Sequence, residues 1–583
     1  MPKGKGPDWL VESFTSSVSG VNSGVEPDLI SASSLAWGYN IKNRGGRPST
    51  RPYFKFRMQL PRGRIQGASY FGIQRGMGVL MVAGHLFRLN IGGIEANNDT
   101  YEEIALGFPN YPLAKKVWMT QTVESLVIQN LIDDALIYDG STAERSRPSE
   151  GGVPRGKQMA YGNGRLWVAV DERTLVAGDI RTNDKGSELK FTETDYLSGG
   201  GSFTFSDGIS ALGFIPTTGT SDYGALMVFG KDSVNSIRAD VTSRDSWSSY
   251  PSFITNILRN SGAAGQSSLT EVNQDLYWRD SMGGIRSVRA GLSDESGDGN
   301  APVSWEVSRL TDYDSRELLE DCPAMMFNNR LLIGSSPFLN FYGDTSWKSI
   351  IALDFVPVAS MATKAPPEYD GEWAGLSITH MFAGKFNGVH RGFMVACSDD
   401  GVNSLWEVMP DSNAYISDWI EQCDGEGTTP SRVTQYFETA RRDFGNINHK
   451  KALRRVDVYL ADLLGTVDME VFWRTDNNQV WRSLGTQQFC ANTDDPEVEG
   501  ETSHIWKNIG SQQRLQRKSL GIVPTQDVIS KYALHVGFQF QFRVVITGNA
   551  KVMRVVAHAE AVNEEQYAMH RYDDSDCVTN DIT

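Results

Sequence analysis

Between about residue 65 and residue 410, apolar and polar positions follow one recurring pattern. Each unit has a short strand, a turn rich in Gly, Asn or Asp, a strongly apolar strand, a second turn and a strand of alternating polarity. The apolar middle strands are predicted at 79–82, 126–128, 166–169, 226–229, 276–278, 331–333 and 393–396. The turns before them carry residues that tolerate positive φ and close tight hairpins. These turn residues are Gly76, Gly78, Asn163, Gly164, Asn273, Asn328, Asn329, Asn387 and Gly388.

The repeat predicts an all-β chain with a β-propeller of about seven blades. Middle strands begin 40 to 62 residues apart, which suits one four-stranded meander per unit. One such sheet leaves both faces uncovered, so blades must stack and the ring must close. Residues 104–106 and 305–307 are candidate fourth strands. Segments 181–206 and 241–266 are long enough to hide or imitate strands, so six or eight blades stay open, as does an irregular stack of β-sandwiches.

The C-terminal region has longer alternating strands, which predict a separate β-sandwich-like domain. These strands are predicted at 453–460, 467–473, 538–544 and 552–559. Near the N-terminus, residues 7–14 are expected to form a short helix. The predicted organisation is a docking arm at 1–64, a propeller at 65–412, a sandwich-like domain at 413–565 and an acidic tail at 566–583.

Charge and cysteine content narrow the function classes. The formal net charge is −16, with 55 basic against 71 acidic residues, whereas proteins that coat nucleic acid usually carry a basic surplus. The five cysteines are far apart and lack CxxC spacing, which argues against a disulfide framework or a zinc ribbon. No apolar run is long enough for a bilayer and no hydrophobic leader follows Met1, so we expect no membrane span.

One basic segment stands out in this acidic chain. No Asp or Glu occurs between Asp28 and Glu95, an interval that holds ten Lys or Arg. We predict that its cations dock on an acidic neighbour in an assembly, since such a surface attracts unopposed positive charge. The predicted docking cations are Lys42, Arg44, Arg47, Arg51, Lys55 and Arg57, and the predicted turn residues between them are Gly45, Gly46, Pro48 and Pro52. A DNA contact through Arg44, Arg47 and Arg51, or cations that simply cover the propeller base, remain alternatives.

Tests for catalytic motifs give no catalytic residue, metal site or cofactor. Residues 224–232 depart from a phosphate loop in glycine spacing, and Asp232 stands where the loop needs Ser or Thr. His558 and Glu560 match only the first part of a zinc deaminase signature. Turn carboxylates leave a glycosidase pair or a calcium site conceivable, although such residues usually serve the turn itself. They are Asp133, Asp134, Asp171, Glu172, Asp399 and Asp400.

The region around the basic segment resembles the N-terminus of tail structural proteins of tailed bacteriophages. In that family a run of the form Gly-x-Asn-Ser-Gly, Pro-x-Leu-Ile, Leu-Ala, Asn, Arg-Gly-Gly and Arg-Pro precedes a propeller. The matching pieces are 20–24, 27–30, 35–37 with Asn40, 44–46 and 51–52, joined near the C-terminus by 441–445, Lys450, Lys451 and 453–460. The tail nozzle proteins (tail tubular protein B) of short-tailed phages are the most similar group.

The resemblance implies a structural virion protein without catalytic activity. It implies a ring of identical subunits, a hexamer in such nozzles, placed in the virion tail after synthesis in the host cytoplasm. Its partners would be an adapter or portal-side tail protein and tail fibres, with DNA only in transit through the channel. A propeller glycosidase or depolymerase, or a non-enzymatic adhesin for host surface glycans, are the alternative functions.

Overall fold

The computed structural model describes residues 9–73, 76–93, 98–106, 114–192, 201–215, 224–238, 254–293, 302–356, 367–409, 418–421, 428–476, 478–490, 516–521 and 535–562. Strands dominate these ranges, so the predicted all-β class is confirmed. The chain divides into two compact units. We call residues 1–51, 357–365 and 432–583 the terminal unit, and residues 52–356 and 366–431 the propeller unit.

Five strands precede the repeats. They are β1 (Trp9–Phe14), β2 (Leu35–Tyr39), β3 (Ile41–Lys42), β4 (Ser49–Thr50) and β5 (Phe54–Gln59). The helix predicted at 7–14 is wrong, because Trp9–Phe14 is a strand whose side chains alternate in exposure. β5 belongs to the propeller unit.

Five separate antiparallel sheets follow, in a propeller arrangement. The first comprises β6 (Ile65–Phe71), β7 (Met77–Val82), β8 (His85–Asn90) and β9 (Thr100–Glu103), and the second β10 (Trp118–Gln121), β11 (Leu126–Gln129), β12 (Leu136–Tyr138) and β13 (Ala143–Arg145). The third comprises β14 (Met159–Gly162), β15 (Arg165–Ala169), β16 (Thr174–Ala177) and β17 (Ser202–Thr204). The fourth comprises β18 (Ala211–Ile215), β19 (Ala225–Phe229), β20 (Ser233–Ile237) and β21 (Ile254–Arg259), and the fifth β22 (Thr270–Val272), β23 (Asp275–Arg279) and β24 (Ile285–Ser287).

The hairpin turns adopt the predicted backbone conformation. Asn163 and Gly164 have φ of 54° and 71°, and Asn387 and Gly388 have 49° and 86°. Neighbouring sheets pack through apolar clusters, as in the cluster of Phe71, Val79, Leu126 and Ile128 between the first and second sheets. Because every middle strand is covered on both faces, its residues can all be apolar.

Two fourth-strand assignments are wrong. Residues 104–106 follow β9 without continuing it, and 305–307 lie in a 3-10 helix, Val303–Val307. The fourth strands β17 and β21 lie instead in the two segments whose pattern was ambiguous. Other helical segments are α1 (Val288–Ser293), α2 (Ser308–Thr311) and the 3-10 turns Pro148–Glu150, Ser187–Leu189, Gln266–Ser268 and Arg316–Asp321.

The sixth and seventh repeats share one continuous sheet. Its strands are β25 (Ala324–Phe327), β26 (Arg330–Leu339), β27 (Thr345–Asp354), β28 (Glu368–Phe386), β29 (Val389–Cys397) and β30 (Asn403–Val408), with β31 (Asp418–Glu421) and β32 (Thr428–Ser431). The first half of β28 pairs with β27 and its second half pairs with β29. β5 pairs with β30 and so adds an N-terminal strand to this sheet. Phe382, Phe393 and Leu405 then pack with Leu80 of the first sheet.

The terminal unit contains one curled, half-barrel sheet. Its strands are β33 (Thr434–Thr439), β34 (Lys451–Thr475), β35 (Asn478–Cys490), β36 (Gln516–Gly521), β37 (Val536–Gly537) and β38 (Phe540–Ala561), together with β1 to β4. β34 and β38 pair along their length, with register shifts near Asp462 and Gly548, both at positive φ. The four strands predicted here correspond to two longer ones, since 453–460 and 467–473 both lie in β34, and 552–559 and most of 538–544 lie in β38. The predicted sandwich is not confirmed.

Candidate functional site

The basic segment forms a hairpin that lies within the terminal unit. β3 and β4 pair, and Gly45 and Gly46 between them have φ of 87° and 74°. A Cβ on Gly46 would stand 2.4 Å from Cγ1 of Val18, so this close turn requires glycine. The buried Pro48 accepts a hydrogen bond from the Val552 N–H through its carbonyl.

The cations of this hairpin differ in exposure. Lys42, Arg44 and Arg47 are half-buried. Nη1 of Arg47 donates to the carbonyl oxygen of Met553, 3.3 Å away, on β38. Arg51 is 1% exposed and its Nε donates to Oδ1 of Asn40, 2.9 Å away. Pro52, the first residue of the propeller unit, is also buried.

Lys55 and Arg57 lie on β5 in a buried network of charges. Nε of Arg57 lies 2.6 Å from Oδ2 of Asp99, and its Nη1 lies 3.3 Å from Oε2 of Glu407. Arg391 holds Glu407 from the other side with two bonds of 2.6 and 2.7 Å. Both arginines and both carboxylates are at most 4% exposed. Burial, and then the nearby Arg57, lower the pKa of Lys55.

These placements change the interpretation of the six predicted docking cations. Arg51, Lys55 and Arg57 are interior residues of this chain, so their assignment to docking is replaced by a structural role. Burial of a cation is stable only with paired charges or hydrogen bonds, which all three have. For Lys42, Arg44 and Arg47, docking stays a prediction.

The turn carboxylates bond within their turn, pair with arginines or are exposed. Oδ1 of Asp171 accepts hydrogen bonds from the N–H groups of Arg173 and Thr174, each 2.7 Å away, which is the geometry of an Asx turn. Asp134 pairs with Arg155 at 2.7 Å. Glu172, Asp399 and Asp400 are exposed, and Asp133 lies 3.8 Å from Arg145. Within the described ranges, no three His, Cys, Asp or Glu side chains are placed to hold a metal ion.

Replacing Asp139 with Ala should lower the free energy of unfolding by about 1 kcal/mol at neutral pH, since this carboxylate organises a hairpin of the second sheet. It accepts hydrogen bonds from the Thr142 and Ser141 backbone and side chains, which lower its pKa to about 2. Because this pKa lies below the unfolded value, the stabilisation is present above about pH 4 and is lost as pH falls through about 2.

Urea denaturation of both proteins between pH 7 and pH 3 measures this effect, with Asp139→Asn as the control. Asn can still accept from the turn amides but carries no charge, so its difference from the Ala variant should not change with pH. A wild-type advantage that stays constant down to pH 3 would contradict the role of the carboxylate.

The two remaining motif candidates are structural. Residues 224–232 contain β19, so the glycine-bounded segment is a core strand. His558 and Glu560 form contacts with charged residues of the neighbouring strand β34 in the terminal unit. Nε2 of His558 lies 3.0 Å from Oδ2 of Asp457, and Glu560 lies 2.8 Å from Nη2 of Arg454.

A small polar cavity lies among residues of the first sheet, the shared sheet and connecting segments of the propeller unit. It holds about 30 Å³, room for roughly one water molecule. Lys116 and Asp321 face each other across 2.8 Å at its wall. Burial, more than the nearby Lys116, lowers the pKa of His380 to about 4, so this side chain is neutral at physiological pH. Asn403, which is fully buried, also lines the cavity. A space of this size excludes a sugar ring or any larger substrate.

The two cysteines that the structure describes completely, Cys322 and Cys397, are buried free thiols. Burial raises the pKa of Cys322 to about 12 and that of Cys397 to about 11, which keeps both protonated. Such thiols are poor nucleophiles and poor metal ligands. The predictions for Cys423 and Cys577, and for the side chain of Cys490, lie outside the described residues.

Among the described helices, none is long and apolar enough to cross a bilayer.

Comparison with known proteins yields fold neighbours only. No family model and no curated protein matches the chain. It is similar to BBS1N solved in complex with ARL6DN (8% identity, TM-score 0.35, 62% of this chain and 99% of that one). It is also similar to BamB from Moraxella catarrhalis (10%, 0.31, 63% and 96%) and to the Cps50 (Swd1) β-propeller domain from Myceliophteria thermophila (11%, 0.35, 61% and 100%). Likeness at this level carries no functional conclusion, and the fold rests on the strand pairings themselves.

Sequence reasoning missed the carboxylates and the arginine that complete the buried network. Asp99, Arg391 and Glu407 lie far from β5 along the chain and belong to no motif. The one available signal was the alternation of Phe54, Lys55, Phe56, Arg57 and Met58, which marks a strand but does not reveal that both its faces are buried.

Proposed function

We propose that this chain is a structural subunit of a bacteriophage tail, similar to the tail nozzle, with no catalytic centre and no cofactor. It forms a homomeric ring, a hexamer by the resemblance, and contacts an adapter or portal-side protein and tail fibres. DNA meets it only in transit. The observation that carries the proposal is the N-terminal motif, which precedes a propeller as it does in that family.

The physical role of the motif residues supports this proposal. Leu35 and Trp37 of the Leu-Ala-Trp piece are 0% and 2% exposed, and β2 pairs with β33 in the terminal unit. Asn40 bonds both to Arg51 and to the carbonyl oxygen of Thr434. The motif therefore builds the sheet that also contains Lys451 and 453–460 of the second matching region, so both regions of resemblance contribute to one sheet.

We further propose that the propeller has seven blades. The two halves of β28 would serve the sixth and seventh blades, and β5 would be the outer strand of the seventh. In this arrangement β5, from the N-terminal side, completes the last blade and joins the two ends of the ring. Such a strand is covered by its neighbours, which agrees with the burial of β5.

In this proposal the DNA passage lies between subunits of the ring and not along the axis of one propeller. The cavity at the wall of Lys116 and His380 has room for roughly one water molecule, far too little for a nucleic-acid strand. The subunit then acts as a solid building block, and the size of the channel depends on the number of copies.

Electron microscopy of the purified protein and of virions tests the proposal. The expected result is a closed ring of propellers with six-fold symmetry, present at the tail of the particle. A protein that stays monomeric at micromolar concentration and is absent from tail particles would overturn it.

An adhesin that binds host surface glycans is the second candidate. An open groove of about 590 Å³ favours it, lined by Phe338, Leu339, Phe341 and Lys348, and aromatic surfaces of this kind pack against sugar rings. Among the described residues that line it, Asp399 is the one carboxylate, whereas a glycosidase needs two, so this groove supports binding more than hydrolysis. Cell binding by the isolated protein, without ring formation, would favour the adhesin over the nozzle.

A further inference from the structure

Three arginines form a cationic stripe on one face of the terminal unit. Arg455 lies on β34, Arg517 on β36 and Arg554 on β38. We call Arg455, Arg517 and Arg554 the cationic stripe. It is a concentration of positive charge in a chain whose net charge is −16.

Tyr459 organises the centre of the stripe. It lies opposite Arg517 in the β34–β36 register and opposite Arg554 in the β34–β38 register, so the three side chains share one face of the sheet. The guanidinium carbons of Arg517 and Arg554 lie 5.6 and 4.4 Å from the centroid of the Tyr459 ring. Cation–π contacts on both sides of one ring hold the two guanidinium groups close together despite their like charge.

The stripe has fewer negative charges than positive ones. Asp457 lies 3.1 Å from Arg455 and 2.6 Å from Arg517, and its side chain is 2% exposed. Burial would raise the pKa of Asp457, but hydrogen bonds from Ser519, Arg517 and His558 outweigh burial and lower it, so the carboxylate is ionised. Within the described ranges, Arg554 is exposed and has no carboxylate partner.

A further cation and an exposed aromatic side chain lie near the stripe. Nη1 of Arg47 contacts Met553, the residue before Arg554, so a further cation lies beside β38 in the terminal unit. At the other end, Trp9 is 46% exposed and packs edge-on against His558, with 6.1 Å between ring centroids. The side chains of Arg455 and Arg517 are 40% and 46% exposed, so their outer N–H groups remain accessible to a ligand.

We propose that the cationic stripe binds the phosphate backbone of nucleic acid without reading its sequence. Planar guanidinium groups match phosphate oxygens in a bidentate manner, and an exposed indole beside them offers a stacking surface. This inference rests on the proposed function for the choice of nucleic acid as the polyanion. The sequence alone suggested a DNA contact through Arg44, Arg47 and Arg51. The contact proposed here lies instead on a face formed by β34, β36 and β38.

The salt dependence of binding to a fluorescein-labelled 20-base-pair duplex tests the proposal, by fluorescence anisotropy between 50 and 200 mM salt. Each lost phosphate contact should reduce the slope of log K against log salt by about one. The double variant Arg517→Gln/Arg554→Gln should therefore reduce the slope by about two. Thermal unfolding confirms that the variants are folded, and Arg554→Gln alone, which breaks no ion pair between described residues, should reduce the slope by about one.

The matched control is Arg147→Gln/Arg155→Gln, which removes the same charge from exposed arginines of the propeller unit, 73% and 57% exposed. It should leave the slope within about 0.3 of wild type, because it changes net charge but not the stripe. No binding by wild type at 50 mM salt, or equal loss in both double variants, would overturn the proposal. If rings form and the stripe variants bind normally, the inference fails while the proposed function stands. If no rings form yet the slope changes as expected, the proposed function fails while the inference of nucleic-acid binding stands.

Discussion

Replacing Arg57 with Met should lower the free energy of unfolding of the propeller unit by about 3–5 kcal/mol. Asp99 would lose its bidentate partner in a site where its side chain is 1% exposed, and Glu407 would lose one of its two arginine contacts. A carboxylate buried without its partner cannot recover the hydration it lost on folding. Urea or thermal denaturation followed by tryptophan fluorescence measures the loss.

Arg64→Met is the matched control for this prediction. Arg64 also forms an ion pair with an aspartate, Asp344, at 2.9 Å, but the two side chains are 36% and 15% exposed. Arg64 is partly solvated, so its loss should cost less than the loss of Arg57, about 1 kcal/mol. The double variant Arg57→Met/Asp99→Asn should recover part of the stability, because no uncompensated carboxylate remains at that position. Equal losses for the Arg57 and Arg64 variants would show that burial does not decide the effect.

This network also shows why the sequence did not reveal that Lys55 and Arg57 are buried within the chain. Phe54, Phe56 and Met58 alternate with Lys55 and Arg57, and such a pattern usually means one buried and one solvated face. In the structure both faces are buried, since carboxylates from distant parts of the chain neutralise the cations. Local patterning detects the strand, but it carries no information on which residues 40 or 350 positions away will complete the site.

The repeats were predictable where their signal is local. The seven apolar middle strands and their Asn and Gly turns follow from period-2 patterning and backbone preferences, and all seven are strands of the structure. The joining of the last two repeats was not predictable, because it depends on β28 being long enough to pair with β27 and with β29. The strand at Trp9–Phe14 was missed for a similar reason, since its partner is residues 555–560 of β38.

The sequence indicated that the hairpin cations form an unusual group, but not which of them face solvent. Arg47 remains at the surface beside β38, whereas Arg51 points at Asn40 and is buried. The cationic stripe was hidden because its members, Arg455, Arg517 and Arg554, are each surrounded by ordinary alternating sequence. Only the pairing of β34 with β36 and β38 brings them to one face.

Replacing Phe386 with Ala should cost about 3–5 kcal/mol, because this side chain fills the contact between the shared sheet and the first sheet. Phe386 is 1% exposed, and its ring centroid lies 4.9 Å from that of Phe393 and 5.1 Å from that of Tyr70. The hydroxyl of Tyr70 also donates to the carbonyl oxygen of Lys385, 2.9 Å away. If this contact closes the propeller ring, the loss should loosen both sheets. Hydrogen exchange should then be faster in β6 and in β29, and unchanged in β15 of the third sheet.

Phe341→Ala is the control for this prediction, since Phe341 belongs to the same unit but is 64% exposed. Its removal should change the free energy of unfolding by less than about 0.5 kcal/mol and leave exchange in β6 and β29 as in wild type. Faster exchange in β29 alone would show that the first sheet does not depend on this contact, and the ring would not close there. Faster exchange in both sheets, with β15 protected, would support closure by the half of β28 that pairs with β29, and with it the proposal of seven blades.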